Sequence, residues 1–280
     1  MLCLPLIVFS QVPSDSNRVD LFETVCIDSN AVNQFPFINF DKNLFAFPTN
    51  EHVNWDMLYA SMDSMIRFKD RKLNFYHIGG SHIQADIYTH DFRSFLQRNW
   101  PGLQGHRGIV FPFNLAKTNN PSNYRFTSSN KWSGYRSVIQ RPKFVHYGIT
   151  GAAISCSDSL IDLNFIYKKT RVSPPIEALR IYHNSGVIPF EFNFGSNELY
   201  IESVRRCAEM GYTEIQFTDA IDSLDIQFIR NTKESYRLDL YGFELMNSQP
   251  GISYNSIGIN GAGLYTYLDN EFFLRDLKQS

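Results

Sequence analysis

No run of lysine or arginine occurs in this 280-residue sequence, and its 26 basic side chains are nearly matched by 28 acidic ones, for a net charge near −2. That balance leaves no electrostatic footprint for nucleic acid. Cysteine is scarce. The four residues Cys3, Cys26, Cys156 and Cys207 stand at no metal-like spacing. Cys156 and Cys207 are open to pairing if the protein is exported, or to burial as small apolar side chains. The apolar opening at residues 1–11 is too short to span a bilayer and lacks a basic start, so it reads as the tail of a secretory leader. Its location is therefore expected to be secreted or periplasmic. No sequence feature calls for a cofactor.

What the chain does have is ordinary globular composition, with 43% hydrophobic and 19% charged residues, and an abundance of aromatics, 24 Phe and 15 Tyr. Aromatics favour strands and mostly fill interiors, though some can stack on sugars. Residues 12 to about 50 carry Asn30, Asn33, Pro36 and Pro48, which break any periodicity; they are expected to wrap a surface. From Val53 to Phe68, Leu58, Met62, Met65 and Ile66 recur at helical spacing, and an apolar strand follows at residues 73–78. The spacing of Tyr88, Phe92, Phe95 and Leu96 predicts a second helix over residues 84–99. Helix, strand and helix in this order open a doubly wound sheet, whose ligands bind beyond the carboxyl ends of its strands.

After Phe113 the texture changes. Asn119-Asn120-Pro121 breaks the chain, and short alternating runs follow at residues 137–140, 160–166, 178–182, 214–217, 224–229 and 236–245. Turn residues separate them and no long helix intervenes, which predicts an antiparallel sandwich. Pro250-Gly251 turns the chain into a last strand at 252–259. A helix over 264–277 is expected to pack on it through Leu268, Phe273, Leu274 and Leu277.

The strand at 73–78 stops at Gly79-Gly80-Ser81-His82 and runs into a helix. Two glycines allow a sharp turn, and a helix start offers unpaired N–H groups beside the serine oxygen. This segment resembles the first block of the SGNH (GDSL-type) hydrolases, with Gly80 in place of the usual aspartate. Residues 255–262, Asn-Ser-Ile-Gly-Ile-Asn-Gly-Ala, look like the second block. The run from 75 to 113, with Gln84, Ala85, Asp86 and the Gly105-His106-Arg107-Gly108 loop, is similar to the branch containing peptidoglycan O-acetylesterases.

The resemblance implies an incomplete flavodoxin-like α/β domain over residues 12–118 and 251–280, interrupted at 119–250 by a carbohydrate-binding-module-like β-sandwich. It implies Ser81 as nucleophile, the Ser81 and Gly261 N–H groups as oxyanion hole, and a pocket drawing on Gly80, His82, Asn260 and Arg107. The substrate class is O-acetylated polysaccharide such as peptidoglycan. The family's later blocks, Gly-x-Asn and Asp-x-x-His, have no counterpart after Gly261, and none of the seven histidines follows an aspartate by three residues. A serine without a base is a poor nucleophile at neutral pH. The chain therefore reads as a fragment of an esterase or, alternatively, as a non-catalytic polysaccharide-binding surface protein.

For other residues the local reading is structural. Gln84 and Asp86 are expected in the first turn of the 84–99 helix, where an acid suits the helix dipole. Arg107 and His106 fit either a pocket rim or a solvated loop.

Overall fold

The computed structural model describes residues 33–39, 52–98, 103–139, 142–168 and 174–280, with Leu264 through its backbone alone. The leader-like residues 1–11, Cys3, Cys26 and most of 12–50 lie outside the described residues. The chain divides into two units, Met1–Leu58 and Tyr59–Ser280. In the first, the Phe35 and Phe37 rings meet edge to face at 6.0 Å.

In chain order the helices are α1 (Val53–Phe68), α2 (Ser81–Ala85), α3 (Tyr88–Arg98), α4 (Leu264–Leu268) and α5 (Phe273–Leu277). The strands begin with β1 (Lys72–Gly79), β2 (Gly108–Val110), β3 (Tyr124–Thr127), β4 (Ser133–Arg136), β5 (Ala152–Cys156), β6 (Leu160–Tyr167) and β7 (Ile176–His183). They continue with β8 (Phe190–Asn193), β9 (Ile201–Cys207), β10 (Tyr212–Ile221), β11 (Ser223–Arg230), β12 (Leu238–Met246) and β13 (Gly251–Gly258). No described helix is long and apolar enough to cross a membrane.

β1 and β13 pair in parallel without a register break, from Lys72 beside Gly251 to Gly79 beside Gly258. A full flavodoxin-like sheet is not present among the described residues: the parallel sheet has these two strands alone. One side is covered through Met65, Leu96 and Leu103, which pack with Ile252 and Tyr254 of β13. Met62 and Met65 are the buried positions of α1, three apart and so on one helix face.

The remaining strands form two antiparallel sheets. One runs β4-β5-β12-β7-β10-β9, with β2 also on β12; the other runs β3-β6-β11-β8. On β6 and β11 burial alternates residue by residue, so Ile161, Leu163 and Phe165, with Leu224, Ile226 and Phe228, point inward. They share one apolar cluster with Leu179, Ile181, Ile215, Leu240 and Phe243 of the larger sheet. The Phe126 and Phe243 rings meet between the sheets at 5.0 Å. That cluster also takes in Ile257, Ile259, Tyr267 and Phe273, so the residues after Pro250 rest on the sandwich core.

Several local expectations are corrected. The 84–99 helix is two helices, because Asp86 adopts φ 50 and closes α2. Its inward face is also different: Tyr88 and Phe95 are 45% and 44% exposed, while Thr89, Arg93, Leu96 and Gln97 are buried. Polar atoms inside, satisfied by a network, outweighed the apolar stripe. The run at 137–140 is not a strand; β4 ends at Arg136, whose carbonyl accepts the Ile139 N–H in a turn. The 264–277 helix is likewise split, with Phe273 buried but Leu268 and Leu274 exposed. Cys156 and Cys207 are both free. β12, β7 and β10 separate their strands, and at about 4.8 Å per strand the gap is roughly 19 Å, far beyond disulfide reach.

Candidate active site

The carboxyl ends of β1 and β13 lie side by side, and each leads into a turn. Gly258 is required there: a Cβ on it would stand 2.3 Å from the Gln84 nitrogen, so α2 crosses the strand end directly. Where β1 ends, Gly79 C=O accepts the Ile259 N–H at 3.3 Å and the Tyr267 hydroxyl at 2.7 Å. A Cβ on Gly80 would lie 3.3 Å from the Ala262 carbonyl oxygen. The Gly80-Ser81 turn and the Ile259–Ala262 turn are therefore in direct contact.

Ser81 is the first residue of α2 and is exposed, as is His82. The turn closes through Ile83 and Gln84 N–H groups donating to Gly80 C=O, which leaves the Ser81 N–H outside the helical bonding pattern. Gly261, also exposed, has φ +87, and only Val138 approaches its open side, at 4.0 Å. Its N–H takes no part in the turn, which closes from Ala262 N–H to Ile259 C=O at 3.0 Å.

Gln84 joins the two turns. Its side chain is buried, its Oε1 accepts the Asn260 N–H at 2.6 Å, and its Nε2 donates to Asn119 C=O at 2.6 Å and Thr118 Oγ1 at 3.2 Å. It does not act as a helix-capping residue. Asp86 closes the C-terminal end of α2 through its backbone rather than standing in the first turn of a helix. Its carboxylate is fully buried and accepts from Arg107 Nη1 (2.6 Å), Arg93 Nη2 (2.8 Å), Asn123 Nδ2 (2.7 Å), Thr89 Oγ1 (2.7 Å) and Ser256 Oγ (2.9 Å). Burial alone would raise its pKa, but Arg107 and Arg93 outweigh that and hold it well below the usual carboxylate range. Arg107 is thus neither a rim residue nor part of a solvated loop: it is buried, with its guanidinium 4.6 Å from the centre of the Tyr124 ring. His106 is also fully buried.

None of the seven histidines is bonded to Ser81. His77 Nδ1 lies 2.6 Å from the Tyr254 hydroxyl, His90 Nδ1 is 3.2 Å from Arg93, His183 Nε2 is 2.9 Å from Thr213 Oγ1, and His52 and His146 pair with Asp56 and Glu271. Among the described residues, no group of three His, Cys, Asp or Glu could hold a metal ion.

A peptidoglycan O-acetylesterase shares this fold. Its solved structure superposes with a TM-score of 0.55 at 17% identity, over 75% of this chain and 53% of the other. This chain thus spans about half the length of that protein. No family model and no curated protein matches the sequence.

The motif residues Gly80, Ser81, Asn260 and Gly261 meet in one place, while Arg107 belongs to the buried Asp86 cluster behind it. Sequence reasoning missed Gln84 as the link, and Arg93, Asn123 and Ser256 as partners of Asp86. Only an acid and an arginine seven residues apart hinted at the cluster.

Proposed function

We propose that this chain carries the nucleophile and two oxyanion donors of an SGNH-type serine esterase acting on O-acetylated glycan such as peptidoglycan. The observation that carries the reading is the contact between the Gly80-Ser81 turn and the Asn260-Gly261 turn at the ends of two parallel strands. Ser81 Oγ attacks the acetyl carbonyl carbon, and the Ser81 and Gly261 N–H groups stabilise the oxygen as it takes on negative charge. Exposure of both residues leaves room for a polymer-borne ester. No histidine is bonded to Ser81, so this reading requires a base, its orienting acid and a third donor besides the residues named here, and the site works beyond the cytoplasm, where the glycan is. His82 and Asn260 border the pocket, and the sandwich grips sugar.

One observation favours a second reading, a non-catalytic polysaccharide-binding protein: no histidine of the chain engages Ser81. Turnover of 4-nitrophenyl acetate separates them. The 280-residue chain is expected near background, with Ser81→Ala changing it little, because loss of a triad's base removes most of its rate advantage. A chain extended by its downstream coding sequence is expected to release acetate from O-acetylated peptidoglycan in a Ser81-dependent way. No Ser81-dependent release from the extended chain, with retained pull-down by peptidoglycan, would leave the binding reading standing.

A further inference from the structure

Behind the proposed site, the Asp86 cluster carries an imbalance of charge. Two guanidiniums, Arg93 and Arg107, face one carboxylate, with side-chain exposures of 5%, 7% and 0%. Arg93 is held below its usual pKa range by burial and by Arg107 beside it. Unmatched charge out of water is costly unless something of opposite sign accompanies it.

A cavity of about 20 Å³ opens beside the cluster, walled by His90, Arg93, Arg107, Asn123 and Tyr167. It admits one occupant of about the size of a water. Three buried polar atoms of its lining have no partner: Arg107 Nε, the Tyr167 hydroxyl and Asn123 Oδ1. Two can donate. The third, an amide oxygen whose own Nδ2 is committed to Asp86, is an acceptor, so water is the competing occupant.

We propose that this cavity is a buried binding site for a small monovalent anion of halide size, held by Arg107 and Tyr167 and neutralising the surplus positive charge of the cluster. Charge decides between the two occupants: a water satisfies hydrogen bonds but leaves the extra guanidinium charge, whereas a halide removes it and accepts from both donors. The site is independent of the esterase reading, because no part of the argument involves Ser81.

The test is thermal unfolding of the 280-residue chain in sodium chloride, sodium bromide and sodium gluconate at matched ionic strength. A ligand that binds the folded state alone raises the midpoint as its concentration exceeds its Kd, so the halides are expected to exceed gluconate by roughly 2–5 °C at high concentration. In Tyr167→Phe, which keeps the ring and removes one donor, that halide-minus-gluconate difference is expected to fall by half or more, whatever the variant's own stability. Bromide-soaked crystals are expected to show an anomalous peak in the cavity. Equal midpoints in the three salts, or a halide effect that Tyr167→Phe leaves intact, would mean that the cavity holds water only and would overturn the proposal.

Discussion

Gln84 Oε1 accepts the Asn260 N–H at 2.6 Å, and this one bond ties the helix that begins at Ser81 to the turn that displays Gly261. Gln84→Ala would leave Asn260 N–H and Asn119 C=O without their partner, a cost of about 1–3 kcal/mol. Amide exchange at Asn260 is expected to speed up by about tenfold or more, as read by NMR or mass spectrometry. Exchange unchanged from wild type would show that the two turns hold each other without this side chain.

The Asp86 cluster joins α2, α3, the Arg107 loop, the Asn123 turn and β13 through one carboxylate. Removing it strands two buried guanidiniums, so Asp86→Ala is expected to cost about 3–5 kcal/mol. Asn123→Ala removes a neutral donor and is expected to cost less, about 1–3 kcal/mol. Urea unfolding midpoints check the order, and Asn123→Ala being the worse of the two would contradict it.

Acid should destabilise the protein. Burial holds His106 down at about 3 and His183 at about 4, both neutral in the folded chain. Their contribution is full above the unfolded value near 6.5 and is lost as pH falls toward those values. Asp276 acts in the opposite sense: burial lifts it to about 6, so its contribution is full below about 4 and is lost as pH rises through 6. Four histidines held low by burial, His77 and His90 with His106 and His183, outweigh the two raised acids Asp276 and Glu244, so the urea midpoint is expected to drop between pH 7 and 4.5, with the depressed Asp86 adding its loss only below about 4. Asp276→Asn is expected to steepen that drop, since it deletes one of the two buried acids, with Glu244, that gain on acidification.

Among the described residues β1 pairs with β13 alone. No described strand pairs with its other edge, beside half-buried Leu73, Phe75, Tyr76 and Ile78, and an open edge is a template for unwanted strand pairing. The isolated chain is expected to bind a hydrophobic dye and to scatter light increasingly with concentration. A sharp cooperative melt from a monodisperse, dye-negative monomer would show that this edge is already protected.

Local signals were legible in the sequence. Apolar spacing placed α1 at its observed ends, alternation marked β6, β7, β11 and β12, and the two glycines before Ser81 marked a sharp turn after an apolar strand. Each of these rests on neighbours within a few residues, so chain order alone determines it. The break at Asp86 was not legible, because a carboxylate in the left-handed region is held there by partners at 93, 107, 123 and 256. Nor was the polar inward face of α3, or the role of Gln84, whose partners lie 35 and 176 residues away. Buried polar groups choose their places by where the folded chain supplies matching donors and acceptors, and that supply exists only once distant segments have packed.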